Sequence, residues 1–372
     1  MEGIFAVEKP TGITSAKYVV KVQNLLAKDK SFIDRKELKY RKRKRLPPVK
    51  IGHGGTLDPC ADGILILGIN GGTKRLTEFL ESAKTYQVIA LLGSSTTTYD
   101  SEGAIMERAS WEDITTEKID SILSNFRGEI YQIPPIYSAI KIGGTALYDY
   151  ARNSEALPRA ISPRKVTIYD LNLLGTLTTD HAYVAPTRDA TDQEKDQEAV
   201  FRAAGLNELV KLGNQYAQLE LDQLGQSLDN VTERAKQLIS KREEQDKEKE
   251  DSGKIQDDDN KAGDDKIVEP VAPELSTSTR PPVFEFTATV SSGTYIRSLV
   301  HDLANALGTK AHVVKLTRVK QGDWELGKNV IPHQEISNRP FEEWAPKIKH
   351  YLANGPLAEY ESDDQSSKIE DS

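Results

Sequence analysis

The feature that most constrains this chain is a stretch that cannot fold into a core. Residues 241–280 hold thirteen acids and eight bases. So polar a run cannot bury enough apolar surface to offset the entropy of ordering it. Apolar periodicity lies on both sides, at 1–175 and 283–326. No internal repeat is evident. The expected architecture is one mixed α/β domain, interrupted at 176–282 by a partly disordered acidic insertion, with an extension at 331–372. Within the insertion, 204–224 carries a helical pattern.

Removing 241–280 also changes the electrostatics. The chain carries a net charge of -8. That stretch and the tail 355–372 contribute -5 each, leaving +2. "RDATDQEKDQE" (188–198) contributes a further -3, so the remaining body is about +5. Against this, "KELKYRKRKRLPPVK" (36–50) holds eight bases and one acid and shows no apolar period. It reads as a mobile basic loop. A basic body with acidic attachments fits a polyanionic partner.

Several classes are excluded. No apolar run approaches the roughly 20 residues that span a bilayer. One cysteine excludes an intramolecular disulfide and a Cys-based zinc cluster. "MEGIFAVEKPTG" has neither a signal-peptide core nor a transit-peptide pattern. "GINGGTK" (68–74) lacks P-loop spacing, there is no HExxH or GxSxG, and the six histidines are scattered.

The folded segments read plainly. "GIFAVEKP" is a short strand, and a helix follows from about Ser15, which can cap it. "ILILGI" is a buried strand, and "TKRLTEFLESA" (73–83) is an amphipathic helix capped by Thr73. "TYQVIALLG" (85–93) alternates as a strand, and a helix lies near 116–126. The paired prolines in 130–141 forbid a central strand there. A short helix at 146–154 and a strand at 164–175 follow. Strand, helix and strand resume across 284–326.

Between the first helix and "ILILGI" stands "KIGHGGTLDPCADG", with two aspartates in a Gly/Pro-framed loop. Locally, Asp58 has two readings, a turn cap or a positioned carboxylate. Six segments in order decide between them: "VEKPTGITS" (7–15), "GHGGTLDP" (52–59), "KTYQV" (84–88), "PPIYSAIKIGGTALYDYAR" (134–152), "PRKVTIYDL" (163–171) and "SSGTYIRSLVHDLA" (291–304). On these the chain resembles the TruB family of tRNA pseudouridine synthases, and within it the fungal tRNA pseudouridine-55 synthases.

The resemblance implies a mixed α+β pseudouridine-synthase fold with a central, largely antiparallel sheet and an RNA-binding cleft. It implies isomerisation of a T-loop uridine to pseudouridine after base flipping, with no cofactor and no metal. Asp58 matches the catalytic aspartate, Arg297 the arginine that pairs with it, and Tyr86 the active-site tyrosine that stacks on the base and serves proton transfer. His53 matches the histidine that stacks during extrusion, and Leu316 an apolar pocket residue. Lys9 and Lys141 lie in matching motifs and touch phosphate or order the pocket. Cys60 and Asp62 depart from the pattern, and Asp62 is expected to point away.

Expected partners are tRNA, through its T loop and T arm, and as a further class other RNAs with T-loop-like hairpins. No membrane and no guide RNA are expected, and a monomer is the simplest state. The nucleus is the expected location, with mitochondrion or cytoplasm as alternatives. The 46 residues after "DWEL" are too few and too acidic for an additional RNA-binding domain. The competing readings are a tRNA-folding binding protein without turnover and an RNA-guided synthase.

Overall fold

The computed structural model describes residues 1–153, 161–214, 217, 220, 280–358 and 360. Most of the polar run 241–280 and the end of the acidic tail therefore lie outside the described residues.

The chain begins with β1 (Gly3–Lys9), α1 (Ser15–Leu26) and α2 (Arg35–Arg43). β2 (Ile51–His53) and β3 (Asp62–Ile69) flank the Gly/Pro loop, and α3 (Leu76–Glu81) leads to β4 (Lys84–Leu92). A small hairpin, β5 (Ser94–Thr96) with β6 (Ile105–Arg108), precedes α4 (Thr116–Leu123) and β7 (Gly128–Gln132). A second hairpin, β8 (Lys141–Ile142) with β9 (Thr145–Ala146), leads to α5 (Leu147–Arg152), β10 (Arg164–Thr178) and α6 (Asp192–Lys211). β11 (Val283–Val290), α7 (Ile296–Ala306), β12 (Ala311–Gln321), β13 (Trp324–Glu325), α8 (His333–Asn338) and α9 (Phe341–Asn354) complete the order.

Nine strands form one sheet in the order β1-β3-β12-β4-β11-β10-β7, with β2 beside β3 and β13 beside β12. Its ladders are antiparallel except β3 with β12, which pair in parallel at Asp62↔Thr317 and Gly63↔Arg318. The architecture is thus mixed α/β around a largely antiparallel sheet. β7 is an edge strand, and Pro134 and Pro135 follow just beyond its end. β3 sits inside the sheet, and every residue from Gly63 to Ile69 is buried. Its unbroken apolar run follows from that position. Each fully buried Ile or Leu contributes roughly 1.5–3 kcal/mol.

Two main cores flank the sheet's centre. One gathers α1, β1, β3, α8 and α9 around Tyr18, Phe5, Trp324 and Trp344. The other packs α4 and α7 on β4, β11 and β12. A smaller third core joins α5 and the 133–142 segment to α6.

The structure corrects four sequence expectations. Thr14, not Ser15, caps α1, with its hydroxyl accepting from Lys17 N. Thr73 lies inside a 3-10 turn (Asn70–Arg75), where its hydroxyl donates to Asn70 O, and α3 begins only at Leu76. The supposed basic loop 36–50 is largely α2, started by Asp34. Finally, 176–282 is not wholly an attachment. α6 begins at Asp192 behind a Thr191/Glu194 capping box and packs into the body.

Candidate active site

Asp58 sits in the loop between β2 and β3, and its neighbours are fixed one by one. The Ser15 hydroxyl donates to Leu57 O and accepts from Leu57 N, both at 2.9 Å. Pro59 O accepts from Gly12 N at 2.9 Å and from Lys9 Nζ at 3.5 Å. Ala61 N donates to Asp58 O at 3.1 Å. Gly54 is needed for packing, since a Cβ there would lie 2.8 Å from Phe79 Cβ. Gly63, with φ of +97°, runs so close to β12 that a Cβ would meet Arg318 O at 2.3 Å. Gly63 thus lets two protein backbones approach each other, and Gly54 makes room for side chains of α3 and β3.

Arg297 reaches the loop from the first turn of α7. Its Nε donates to Asp58 Oδ2 at 2.8 Å, one terminal nitrogen to Thr98 O at 2.7 Å and the other to Tyr137 O at 3.0 Å. The Asp100 carboxylate lies 3.7 Å from the same Nε. The arginine side chain is 5% exposed, against 36% for Asp58. Burial opposes the guanidinium charge, but the Asp58 and Asp100 carboxylates outweigh it and hold Arg297 above its ordinary range. Asp100 is itself held by Thr98 Oγ1, Glu102 N and the Cys60 thiol. One arginine therefore serves two carboxylates, and Asp58 is the one that also faces open space.

That space is a cavity of about 480 Å³, and its wall includes Asp58, Tyr86, Lys141, Arg297 and Leu316. Five of the seven expected site residues therefore meet. The other two do not line it. His53 is half-buried on β2 opposite Leu67, its Nδ1 lacks a hydrogen-bond partner, and burial lowers its pKa. In this conformation it is not placed to stack on a base in the cavity. Lys9 is fully buried and cannot touch phosphate. Its Nζ donates to Pro10 O at 2.7 Å and Ile13 O at 2.9 Å besides Pro59 O, so it orders the loop. Asp62 heads β3 and does not line the cavity.

Sequence reasoning missed several contributors. Asp100 lies in "TTTYDSEG", whose Thr, Ser and Gly signal a turn but not a distant arginine partner. Lys84 stands inside a quoted motif, yet its Nζ binds the carbonyls of Phe79, Leu80 and Ser82 and fixes the end of α3 at the cavity rim. Arg318 is fully buried and donates to Ile64 O and Gly55 O, tying β12 to the Asp58 loop. Gln132 accepts from Tyr295 N and donates to Tyr295 O, which sets the turn that delivers Arg297.

Among the described residues, Glu220, His301 and Asp302 come close enough to share a metal ion. Arg202 already donates to both carboxylates, at 2.7 Å and 2.9 Å to Glu220 and 2.5 Å to Asp302. A cation is thus built into that cluster.

The amino-terminal domain model of TruB family pseudouridylate synthases matches residues 42–185. The chain is 36% identical over 375 residues to tRNA pseudouridine synthase 4 of Saccharomyces cerevisiae, covering 95% of this chain and 86% of the relative. It is 33% identical over 360 residues to tRNA pseudouridine synthase 4 of Schizosaccharomyces pombe, covering 92% and 84%. tRNA pseudouridine synthase B of Staphylococcus saprophyticus is 38% identical over 177 residues, or 47% of this chain and 51% of the relative. Matched over nearly all its length by two relatives at 36% and 33% identity, the chain belongs to the TruB family of pseudouridylate synthases.

Proposed function

We propose that this chain isomerises a uridine in the T loop of tRNA to pseudouridine, acting alone and without a guide RNA. The observation that carries the reading is the Asp58–Arg297 pair, closed at 2.8 Å on the wall of the cavity that also presents Tyr86.

The reaction breaks a C–N glycosidic bond, turns the base and rejoins it through carbon. Such cleavage leaves the sugar with oxocarbenium character, which a carboxylate stabilises or captures. Asp58 offers one oxygen to Arg297 and keeps its carboxylate open to the cavity. The arginine sets its rotamer. The uridine must leave its stack, which costs a few kcal/mol. Stacking on Tyr86 returns about 1–3 kcal/mol. The Tyr86 hydroxyl serves proton transfer at C5, Leu316 closes the apolar side, and Lys141 meets phosphate at the entrance. The same cleft accepts other RNAs that fold a T-loop-like hairpin. The basic body suits a nuclear enzyme working on precursor tRNA.

Asp58→Asn keeps the size and removes the charge. The variant is expected to bind a T-arm transcript while pseudouridine formation in single turnover falls below detection. Turnover by the Asp58→Asn variant would overturn the assignment. Wild-type protein that binds but never converts the transcript would favour the binding-protein reading.

A further inference from the structure

α2 is a cationic helix most of whose charges have no carboxylate partner among the described residues. Asp34 caps its first turn by accepting from Lys36 N at 2.8 Å. Arg41 anchors its end. This side chain is buried, and it donates to Pro47 O at 2.6 Å and Val49 O at 3.3 Å. Val49 is fully buried, and Gln23 Nε2 holds its carbonyl at 2.7 Å. The other seven cations between Arg35 and Arg45 are exposed. Among the described residues, none of the seven forms an ion pair with a carboxylate. Seven like charges on one short segment repel each other, so the helix is held by its anchor despite its surface. Tyr40 stands among them, 50% exposed, with the Arg43 guanidinium 5.8 Å from its ring centre. Clustered cations around an exposed aromatic suit phosphate contact combined with base stacking.

The position is as telling as the charge. From Val49 the chain passes directly into β2 and reaches Gly55 and Thr56 on the cavity wall. At about 3.3 Å per residue, the chain from Val49 to Gly55 spans at most about 20 Å, and from the end of α2 at Arg43 at most about 40 Å. A span of that order reaches past the flipped nucleotide and its short stem, onto the rest of a folded tRNA. Exposed Lys74, next to the Thr73 that packs beside Gly52, continues the positive surface along the way.

We propose that α2 is a second RNA-contact surface, binding the phosphate backbone of tRNA outside the T arm whose uridine enters the cavity. The proposal rests on the tRNA reading above and extends its footprint. It requires intact tRNA to bind more tightly than an isolated T-arm hairpin, and through different residues.

The test replaces four exposed cations together, Lys42→Ser, Arg43→Ser, Lys44→Ser and Arg45→Ser, and leaves Arg41 in place so that the anchor survives. Affinity is measured against salt for full-length tRNA and for a T-arm hairpin, and pseudouridine formation on each is followed in parallel. For tRNA, affinity is expected to fall at least tenfold near 0.1 M salt. The slope of log K on log salt is expected to shrink by about 2–3, since each lost phosphate contact removes about 0.9. Hairpin binding and turnover should stay within twofold of wild type. Tyr40→Ala should weaken tRNA binding with little change in slope. An unchanged salt slope for tRNA overturns the proposal, as does an equal loss on both RNAs. Unchanged RNA binding with lost nuclear accumulation overturns it in favour of an import signal. If wild type converts neither RNA, the functional reading fails, but the two binding curves still decide the role of α2.

Discussion

Asp58 and Asp62 stand four residues apart in one loop, and the fold gives them opposite surroundings. Asp58 meets Arg297 and the cavity, while Asp62 starts β3 with one oxygen buried and without a partner. Asp62→Asn is therefore expected to keep most turnover, and a folded but inactive variant in a single-turnover assay would refute this. Two lysines make a second residue-level prediction. Burial pushes Lys9 and Lys84 down to about 8, from 10.5. Below pH 8 both are protonated in folded and unfolded chains alike. Between 8 and 10.5 the unfolded chain binds more protons, so stability rises with pH across that window. Urea midpoints should increase from pH 7.5 to 9.5, below the tyrosine range, and Lys84→Met should flatten the rise. The pairing of Asp58 with Arg297 was legible because both lie in quoted motifs. The burial of Lys9 was not, because a lysine in a Pro/Gly turn gives no local sign that three carbonyls await its amine.

At the scale of elements, α2 and α6 show where periodicity misleads. α2 is held by one buried arginine and a cap, so a pattern search for apolar residues finds nothing. α6 hides for a similar reason, since its buried face includes Glu198 and Arg202 beside Phe201 and Leu206. The Thr191/Glu194 capping box was visible in "TDQE", but the surrounding acids made the segment look like a solvated attachment. In the structure Glu198 accepts a hydrogen bond from the Tyr99 hydroxyl, and the Tyr99 ring stacks on His301 with ring centres 4.2 Å apart. Tyr99 has φ of +62°, unfavourable for an aromatic residue, and α6 helps to hold it there. Its neighbours are Thr98 and Asp100, which flank Arg297. Tyr99→Phe should cost about 1–3 kcal/mol, because a buried carboxylate loses its donor. It should also slow turnover more than binding. Arg202→Met leaves Glu220 and Asp302 without their cation and should cost about 3–5 kcal/mol. Thermal unfolding of the two variants checks both figures.

The described residues are organised around one large sheet and its two main cores, and their boundaries differ from the textural ones. Residues 331–354 looked like an extension, yet Ile331 bonds to Ala6 and Glu8, and Trp344 and Ile348 fill the first core. Trp344→Ala should cost about 3–5 kcal/mol. It should lower the midpoint of one transition seen by both fluorescence and circular dichroism, and two separated transitions would show that the cores fold independently. The segment between "DWEL" and the acidic tail was unreadable because its helices bury only one stripe each, against a strand at the other end of the sequence. The parallel seam of β3 and β12 has a consequence in time. Asp58 and Arg297 are 239 residues apart, and β12 lies later still. At ribosomal speeds of about 5–20 residues per second, roughly 12–50 s separate the emergence of Asp58 and Arg297. Until then β3 has its β1 and β2 neighbours but not β12, and the carboxylate has no guanidinium. A nascent chain that stops short of Arg297 therefore holds Asp58 unpaired, and the pair proposed to carry turnover forms only after α7 has emerged.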